Sequence, residues 1–465
     1  MGVVAVVGYV LVQFISFQLS LTRVPATWTI GGQTYPNYPI DEAAQQAADD
    51  LQHMPLMLHY YTQTIQLEPA AIGFTVDVTE TTRLLRQTRS QNAALSDFLR
   101  HLIFQPPAAE TVPAVTGYSD EKLRAQLADI AARFDRAAQP PQPVTQTMTL
   151  AAGQPGYQLD IVKSIEPIEA ALKSAQRDVT LSIQERPAPA PDLDQVGRLL
   201  QARLAAFNGT ASVFVKDLRT GHELDLNPNL AYSGVGLMKL AMLTEVYRKT
   251  NVPLDANITR LITNALRIEL VNGPGNDLLT TLGDGDALAA ANNVTTLMKN
   301  LGLRDTFMLQ PYDQPISPTL TIATTANTSP AVNVNADPSI QTTATDMGLL
   351  LEMVYQCSNN GGALLVVYPK LFNAADCRDF IEQLRQNSPT DVPLLLRGGV
   401  PDPNQVAHHP GWNADTRADA ALVTTPGGSY VIVVFLHARE QDLDWAGINA
   451  IMSDLNLAIY NYFNH

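Results

Sequence analysis

A lysine set in an apolar stretch is the first residue of this chain with chemistry in reach. Residues 230–247 read L-A-Y-S-G-V-G-L-M-K-L-A-M-L-T-E-V-Y, and Lys239 is the only basic residue among them. On a helix, positions i and i+3 share a face, so a serine three residues before a lysine places a nucleophilic hydroxyl beside a group that manages its proton. Here that position is Gly236, which has no side chain. Ser233 lies six residues before Lys239, roughly 240° around a helix and therefore on another face, and reads as a helix N-cap. The literal S-x-x-K of Ser119 and Lys122 opens a polar amphipathic segment, where the serine reads as a helix start.

Other chemistries leave fewer marks. His408 and His409 are adjacent, and neighbours on a strand point to opposite faces, which argues against a shared metal. Neither a glycine-rich phosphate loop, nor C-x-x-C, nor H-E-x-x-H occurs, so no cofactor and no metal are expected. With 45 acidic and 30 basic residues the net charge is −15, which disfavours nucleic acid as a partner. Cys357 and Cys377 are the only cysteines and flank a connection containing Gly361, Gly362 and Pro369, so a disulfide between them is expected in an exported chain.

The elements that must position Lys239 follow from periodicity. Residues 192–207 have helical spacing, with Val196, Leu199, Leu200 and Leu204 on one face. Strand-like runs at 211–218 and 222–226 flank the turn Arg219-Thr220-Gly221, and the Lys239 helix comes next. A helical middle runs from 258 to about 352. Three late strands are expected at 406–412, 418–424 and 430–437, with Pro426-Gly427-Gly428 turning between the last two, before a final helix at 442–462.

This order of features resembles the class A β-lactamase and penicillin-recognising serine hydrolase family, whose active-site helix carries S-x-x-K where this chain has Gly236 to Lys239. The resemblance covers residues 192–465 and implies an α/β (α+β) fold: an antiparallel sheet covered by helices, plus a helical subdomain, with the site between them. The family's S-D-N falls on Val271-Asn272-Gly273, and its K-T-G on His409-Pro410-Gly411. His409 carries charge only weakly at neutral pH, and Pro410 has no N–H to donate. Arg219-Thr220-Gly221 imitates K-T-G but reads as turn chemistry. The loop glutamate of class A enzymes has no counterpart within residues 305–346, where Asp313 and Asp337 are the candidate replacements.

Upstream, residues 28–186 hold an internal echo: Gly73-Phe-Thr-Val-Asp77 and Gly156-Tyr-Gln-Leu-Asp160 each precede a helical segment. Together with Gly31-Gly32, Leu67-Glu-Pro-Ala-Ala-Ile-Gly73 and Tyr118-Ser-Asp-Glu-Lys-Leu-Arg124, this region resembles the peptidoglycan-binding domain of vancomycin-resistance-type W proteins, which implies a smaller α+β domain. Pro187-Ala-Pro-Ala-Pro191 reads as a stiff linker between the two. Residues 1–22 carry no charge and are long enough to cross a bilayer, so a single-pass membrane anchor is expected, with a cleaved signal peptide as the competing reading and the bulk of the chain extracytoplasmic.

With four catalytic elements altered and the surrounding framework intact, the expected function is a membrane-anchored, catalytically degenerate β-lactamase-like protein. Lys239, Asn272, His409 and Arg417 would form a weakly basic pocket for a cell-wall peptide or a protein partner, with Gly236 and Gly411 marking the former reaction centre. The alternative is an active serine hydrolase, a β-lactamase or D-alanyl peptidase acting on β-lactams or stem peptides.

Overall fold

A computed structural model of the chain describes residues 2–91, 95–269, 271–328, 330, 332–390 and 392–464. The chain divides into two compact units: residues 1–140 with 153–189, and residues 141–152 with 190–465.

In the first unit the strand Leu56–Tyr60 pairs antiparallel with Gln63–Leu67 and parallel with Asp178–Thr180. The internal echo has a physical cause. Asp77 Oδ1 accepts the Glu80 N–H (2.9 Å) at the start of helix Val78–Gln91, and Asp160 Oδ1 accepts the Lys163 N–H (3.1 Å) at the start of helix Ile161–Leu172. Each aspartate ends a strand and satisfies an orphan N–H of the following helix. Ser119 likewise caps helix Asp120–Phe134, as its spacing predicts.

The expected anchor is not supported. Residues 2–20 do form a helix, Gly2–Ser20, but among the described residues no helix is long and apolar enough to cross a membrane. Gln13, Ser16, Gln18 and Ser20 interrupt its apolar run. One side packs on the protein: Phe14 and Phe17 meet Phe98 at ring distances of 5.6 and 5.5 Å, and the Tyr9 hydroxyl donates to the Leu102 carbonyl (3.0 Å).

The second unit is a mixed α/β structure built on five antiparallel strands. In chain order the elements that matter are α1 (Leu193–Leu204), β1 (Thr210–Asp217), β2 (Glu223–Leu226), α2 (Met238–Lys249), α3 (Ala344–Ser358), β3 (Val406–Trp412), β4 (Thr416–Thr425), β5 (Gly428–His437) and α4 (Trp445–Phe463). The strand order is β2-β1-β5-β4-β3. Alternation sorts the sheet's side chains: Tyr430, Ile432, Val434 and Leu436 pack with α1 and α4, whereas Val431, Val433 and Phe435 pack with α2 and α3. Asp192 and Gln195 close a capping box at the start of α1, and Asp444 caps α4.

Residues 141–152 add a hairpin, Gln142–Val144 with Thr149–Ala151, to the α1 and α4 side, where Met148 is buried and its carbonyl accepts the Asn461 amide (2.9 Å). Cys357 and Cys377 form the expected disulfide, with Cα atoms 5.8 Å apart, tying the end of α3 to helix Ala374–Gln386.

Candidate functional site

Chain direction brings α2 in behind the edge strand β3. Before α2, Tyr232 and Ser233 form a short strand paired with Ile340–Thr342, followed by a 3₁₀ turn, Val235–Leu237. Ser233 is therefore not a helix N-cap: it is held in the strand, and its hydroxyl accepts the Asp337 N–H (2.8 Å). Val235 takes a left-handed φ of 39°, a costly conformation for a β-branched residue. The Tyr312 hydroxyl donates to its carbonyl (3.0 Å). Burial, with the Glu269 charge nearby, pushes the Tyr312 phenol well above its usual pKa, so it remains a donor.

Lys239 projects from the first turn of α2 into an apolar environment and needs a counter-charge. Glu269 supplies it. Its Oε1 accepts from Lys239 Nζ and lies 2.9 Å from His409 Nε2, with the side chains of Lys239, Glu269 and His409 3%, 5% and 1% exposed. The ring of His409 makes no aligned hydrogen bond at either nitrogen, so its contact with Glu269 is electrostatic proximity without hydrogen-bond geometry. Burial holds His409 below its ordinary pKa; Glu269 pulls it up, while Lys239 and His408 push it further down, and the ring is neutral at pH 7. For Glu269 burial works to raise the pKa, and His409 and Lys239 outweigh it, leaving the carboxyl below its usual range.

The space that a side chain at position 236 would take is filled. A Cβ built on Gly236 would lie 2.4 Å from the Pro410 carbonyl oxygen, 2.8 Å from Glu269 Oε2 and 2.8 Å from Gly411 Cα. A Cβ on Gly411 would lie 2.4 Å from Gly236 N. The two glycines let the start of α2 and strand β3 meet backbone to backbone, and the Glu269 carboxylate stands where a side chain at position 236 would project.

Of the residues singled out from the sequence, the structure thus brings together Gly236, Lys239, His409 and Gly411. Asn272 sits apart from the ion network and donates its amide to Asp313 Oδ1 (2.7 Å). Arg417 turns elsewhere: its guanidinium stacks 4.9 Å over the Trp445 ring and donates to the Thr416 carbonyl (3.1 Å). His408, on the opposite face of β3 from His409, contacts Asp419 through Nδ1 at 2.9 Å. Among the described residues no group of three His, Cys, Asp or Glu side chains is arranged to hold a metal ion.

In front of Gly236 opens a cleft of about 490 Å³. Ser233, Gly236, Glu269, Asn272, Tyr312 and Trp412 are among its lining residues, as are Asp313, Asp337 and Asp415. Lys239, His409 and Arg417 do not line it, and among the described residues no Lys, Arg or His does. The expected weakly basic pocket is replaced by an acidic one, because Lys239 and His409 are buried against the same Glu269 carboxylate and Arg417 lies over Trp445. Glu269 is the residue that sequence reasoning missed. Its signal was a lone carboxylate between apolar residues in Ile268-Glu269-Leu270-Val271, just before Asn272, in a chain whose buried Lys239 required a counter-ion.

Residues 285–463 match the family described as "Beta-lactamase enzyme family", and residues 65–180 match the one described as "Putative peptidoglycan binding domain". The first match includes His409 and Gly411 and begins after Gly236, Glu269 and Asn272. No curated protein matches the chain. Solved structures similar to it include β-lactamases from Desulfarculus baarsii (16% identity, TM-score 0.44, covering 59% of this chain and 100% of that one) and Sphaerobacter thermophilus (15%, 0.43, 59% and 98%). Another is a β-lactamase from Xanthomonas campestris (15%, 0.42, 58% and 97%). The chain is therefore β-lactamase-like over residues 285–463 and similar to the peptidoglycan-binding family over residues 65–180.

Proposed function

We propose that the second unit is a binding module that has exchanged acyl-enzyme chemistry for recognition, and that its cleft takes a peptide of the cell wall. The observation that carries this reading is the packing at Gly236. An acyl-enzyme needs a hydroxyl there and space for the attacked carbonyl, and both are occupied by Pro410 O, Gly411 Cα and Glu269 Oε2. Lys239, the residue that would move the proton, is committed to Glu269. Ser233 lines the cleft but lies on a strand, with its hydroxyl engaged by the Asp337 N–H.

A cleft of about 490 Å³ is within the usual range for a small ligand or a few residues of peptide. The peptidoglycan-binding match at residues 65–180 supports a wall ligand, and the Cys357–Cys377 disulfide supports an extracytoplasmic location.

Calorimetric titration with a D-alanyl-D-alanine-terminated peptide tests this reading. Wild type is expected to bind, and Ala336→Trp, which fills the cleft from its half-buried wall, is expected to abolish binding without shifting the melting temperature. Undetectable binding by wild type, or equal binding by both, would refute it.

A further inference from the structure

A cavity of about 550 Å³ in the second unit shares no lining residue with the cleft. The end of helix Ala287–Asn300, residues 304–307 and residues 322–325 line it. Lys299, in the last turn of that helix, and Arg304, two residues beyond Gly302, face it together with one carboxylate, Asp305. Two cations against one carboxylate leave a formal excess of one positive charge, where the chain as a whole carries −15.

The other polar groups of the wall are satisfied within the protein. Asp305 Oδ1 accepts the Ala326 N–H (3.1 Å), and both Asp305 oxygens accept the Thr325 hydroxyl (3.2 Å each). Thr295 Oγ1 donates to the Met308 carbonyl (2.7 Å), Thr306 Oγ1 donates to Asp346 Oδ2 (2.8 Å), and Thr324 Oγ1 accepts from Gln341 Nε2 (3.3 Å). These bonds fix the wall from Asp305 to Thr325 and use neither cation. Lys299 and Arg304 are exposed, and neither side chain makes a hydrogen bond or an ion pair among the described residues.

The rest of the lining is apolar: Phe307, Ile322 and Ala323. A concave site with an apolar wall and a few unspent polar groups is the usual form of a small-molecule site. Of the two cations, the guanidinium presents a planar fork that matches a carboxylate with two parallel hydrogen bonds, and the ammonium adds a point charge. A neutral polar ligand would leave both charges unanswered, and a bare inorganic anion would leave the apolar wall wet.

We propose that this cavity is a second ligand site, which takes a small organic carboxylate: Arg304 and Lys299 hold the carboxylate, and Phe307, Ile322 and Ala323 take the apolar body. It stands apart from the reading of the cleft, because no residue serves both sites. Asp305 shapes the wall through Thr325 and Ala326 and does not meet the ligand's charge.

The test is calorimetric titration of the whole chain with phenylacetate, phenylacetamide and inorganic phosphate. Phenylacetate should bind saturably. Phenylacetamide, which lacks the charge, and phosphate, which lacks the apolar body, should each bind about tenfold or more weakly. Lys299→Gln combined with Arg304→Gln should weaken phenylacetate by a similar factor and leave phenylacetamide and the melting temperature unchanged, since neither cation has a partner to lose. Ala336→Trp, which fills the cleft, should leave phenylacetate binding as in wild type. Equal binding of phenylacetate by wild type and the double variant, or its loss in Ala336→Trp, would overturn the site. Phosphate binding as tightly as phenylacetate would overturn the organic ligand class. No saturable binding of phenylacetate by wild type would overturn the proposal, whether or not the cleft takes a peptide.

Discussion

Strand β3 separates two buried histidine–carboxylate pairs that are built on different plans. On the sheet side, His408 Nδ1 meets both oxygens of Asp419 (3.0 and 2.9 Å), and Asp419 Oδ2 also accepts the Leu396 N–H (3.1 Å). The same region satisfies Asn456 twice, from the Tyr430 hydroxyl (2.7 Å) and toward the Leu396 carbonyl (2.7 Å). On the cleft side, His409 has no aligned hydrogen bond, and Glu269 uses one oxygen for two partners. The frame pair is hydrogen-bonded through His408 Nδ1 and both Asp419 oxygens, with only His408 Nε2 buried without a hydrogen-bond partner among the described residues. At the site neither nitrogen of His409 is hydrogen-bonded, and the contact is ionic, through Lys239 and Glu269.

The sharpest way to break that ionic contact is Glu269→Ala. It removes the carboxylate that Lys239 contacts and should cost about 3–5 kcal/mol in chemical denaturation. The paired change Lys239→Met with Glu269→Leu should recover most of that loss, since exchanging a buried ion pair for apolar groups is often neutral. A single variant as stable as wild type would show that the network does not hold the site.

Next in size is the covalent tie of the frame. The disulfide joins residues 20 apart, and its removal by Cys357→Ala with Cys377→Ala should cost on the order of 3 kcal/mol in the chain-entropy picture. Peptide affinity at the cleft should not change, so a parallel loss of binding would mean that frame and site are not separable.

Gly236→Ser restores the hydroxyl that the resemblance calls for. Against a Cβ contact of 2.4 Å with the Pro410 carbonyl, it should destabilise by about 1–3 kcal/mol. It should gain no reactivity toward penicillins; a gain would mean that the cleft opens readily between α2 and β3.

The smallest effect is in pH. His409 has a folded-state pKa below its ordinary 6.5, so just below that pH the unfolded chain takes up a proton that the folded chain refuses. Stability should fall as pH drops through this window by at most about 1.4 kcal/mol per unit. Glu269, held below its ordinary 4.5, contributes stability above that value and loses it as pH falls through its depressed pKa. In urea midpoints measured from pH 8 to 3, His409→Phe should remove the first step and shrink the second, because His409 is the first of the groups that lower Glu269.

These two regions also differ in how far the sequence discloses them. The strands of the sheet and the helices α1 and α4 follow from alternation, helical spacing and the caps at Asp192 and Asp444, all local signals. The site depends on a contact between residues 30 apart in the chain, Lys239 and Glu269, and on two glycines, 236 and 411, whose meeting leaves no periodic trace. Arg417 looked available because it opens a strand, but Trp445 on α4 covers it.

The central proposal is that a β-lactamase-like fold surrounds a site that takes no acyl group. Intact-mass measurement after prolonged incubation with a penicillin, followed by denaturation, tests it most directly. The account predicts the unmodified mass for wild type, whereas a stoichiometric increase that survives denaturation and maps to Ser233 or any other serine would contradict it.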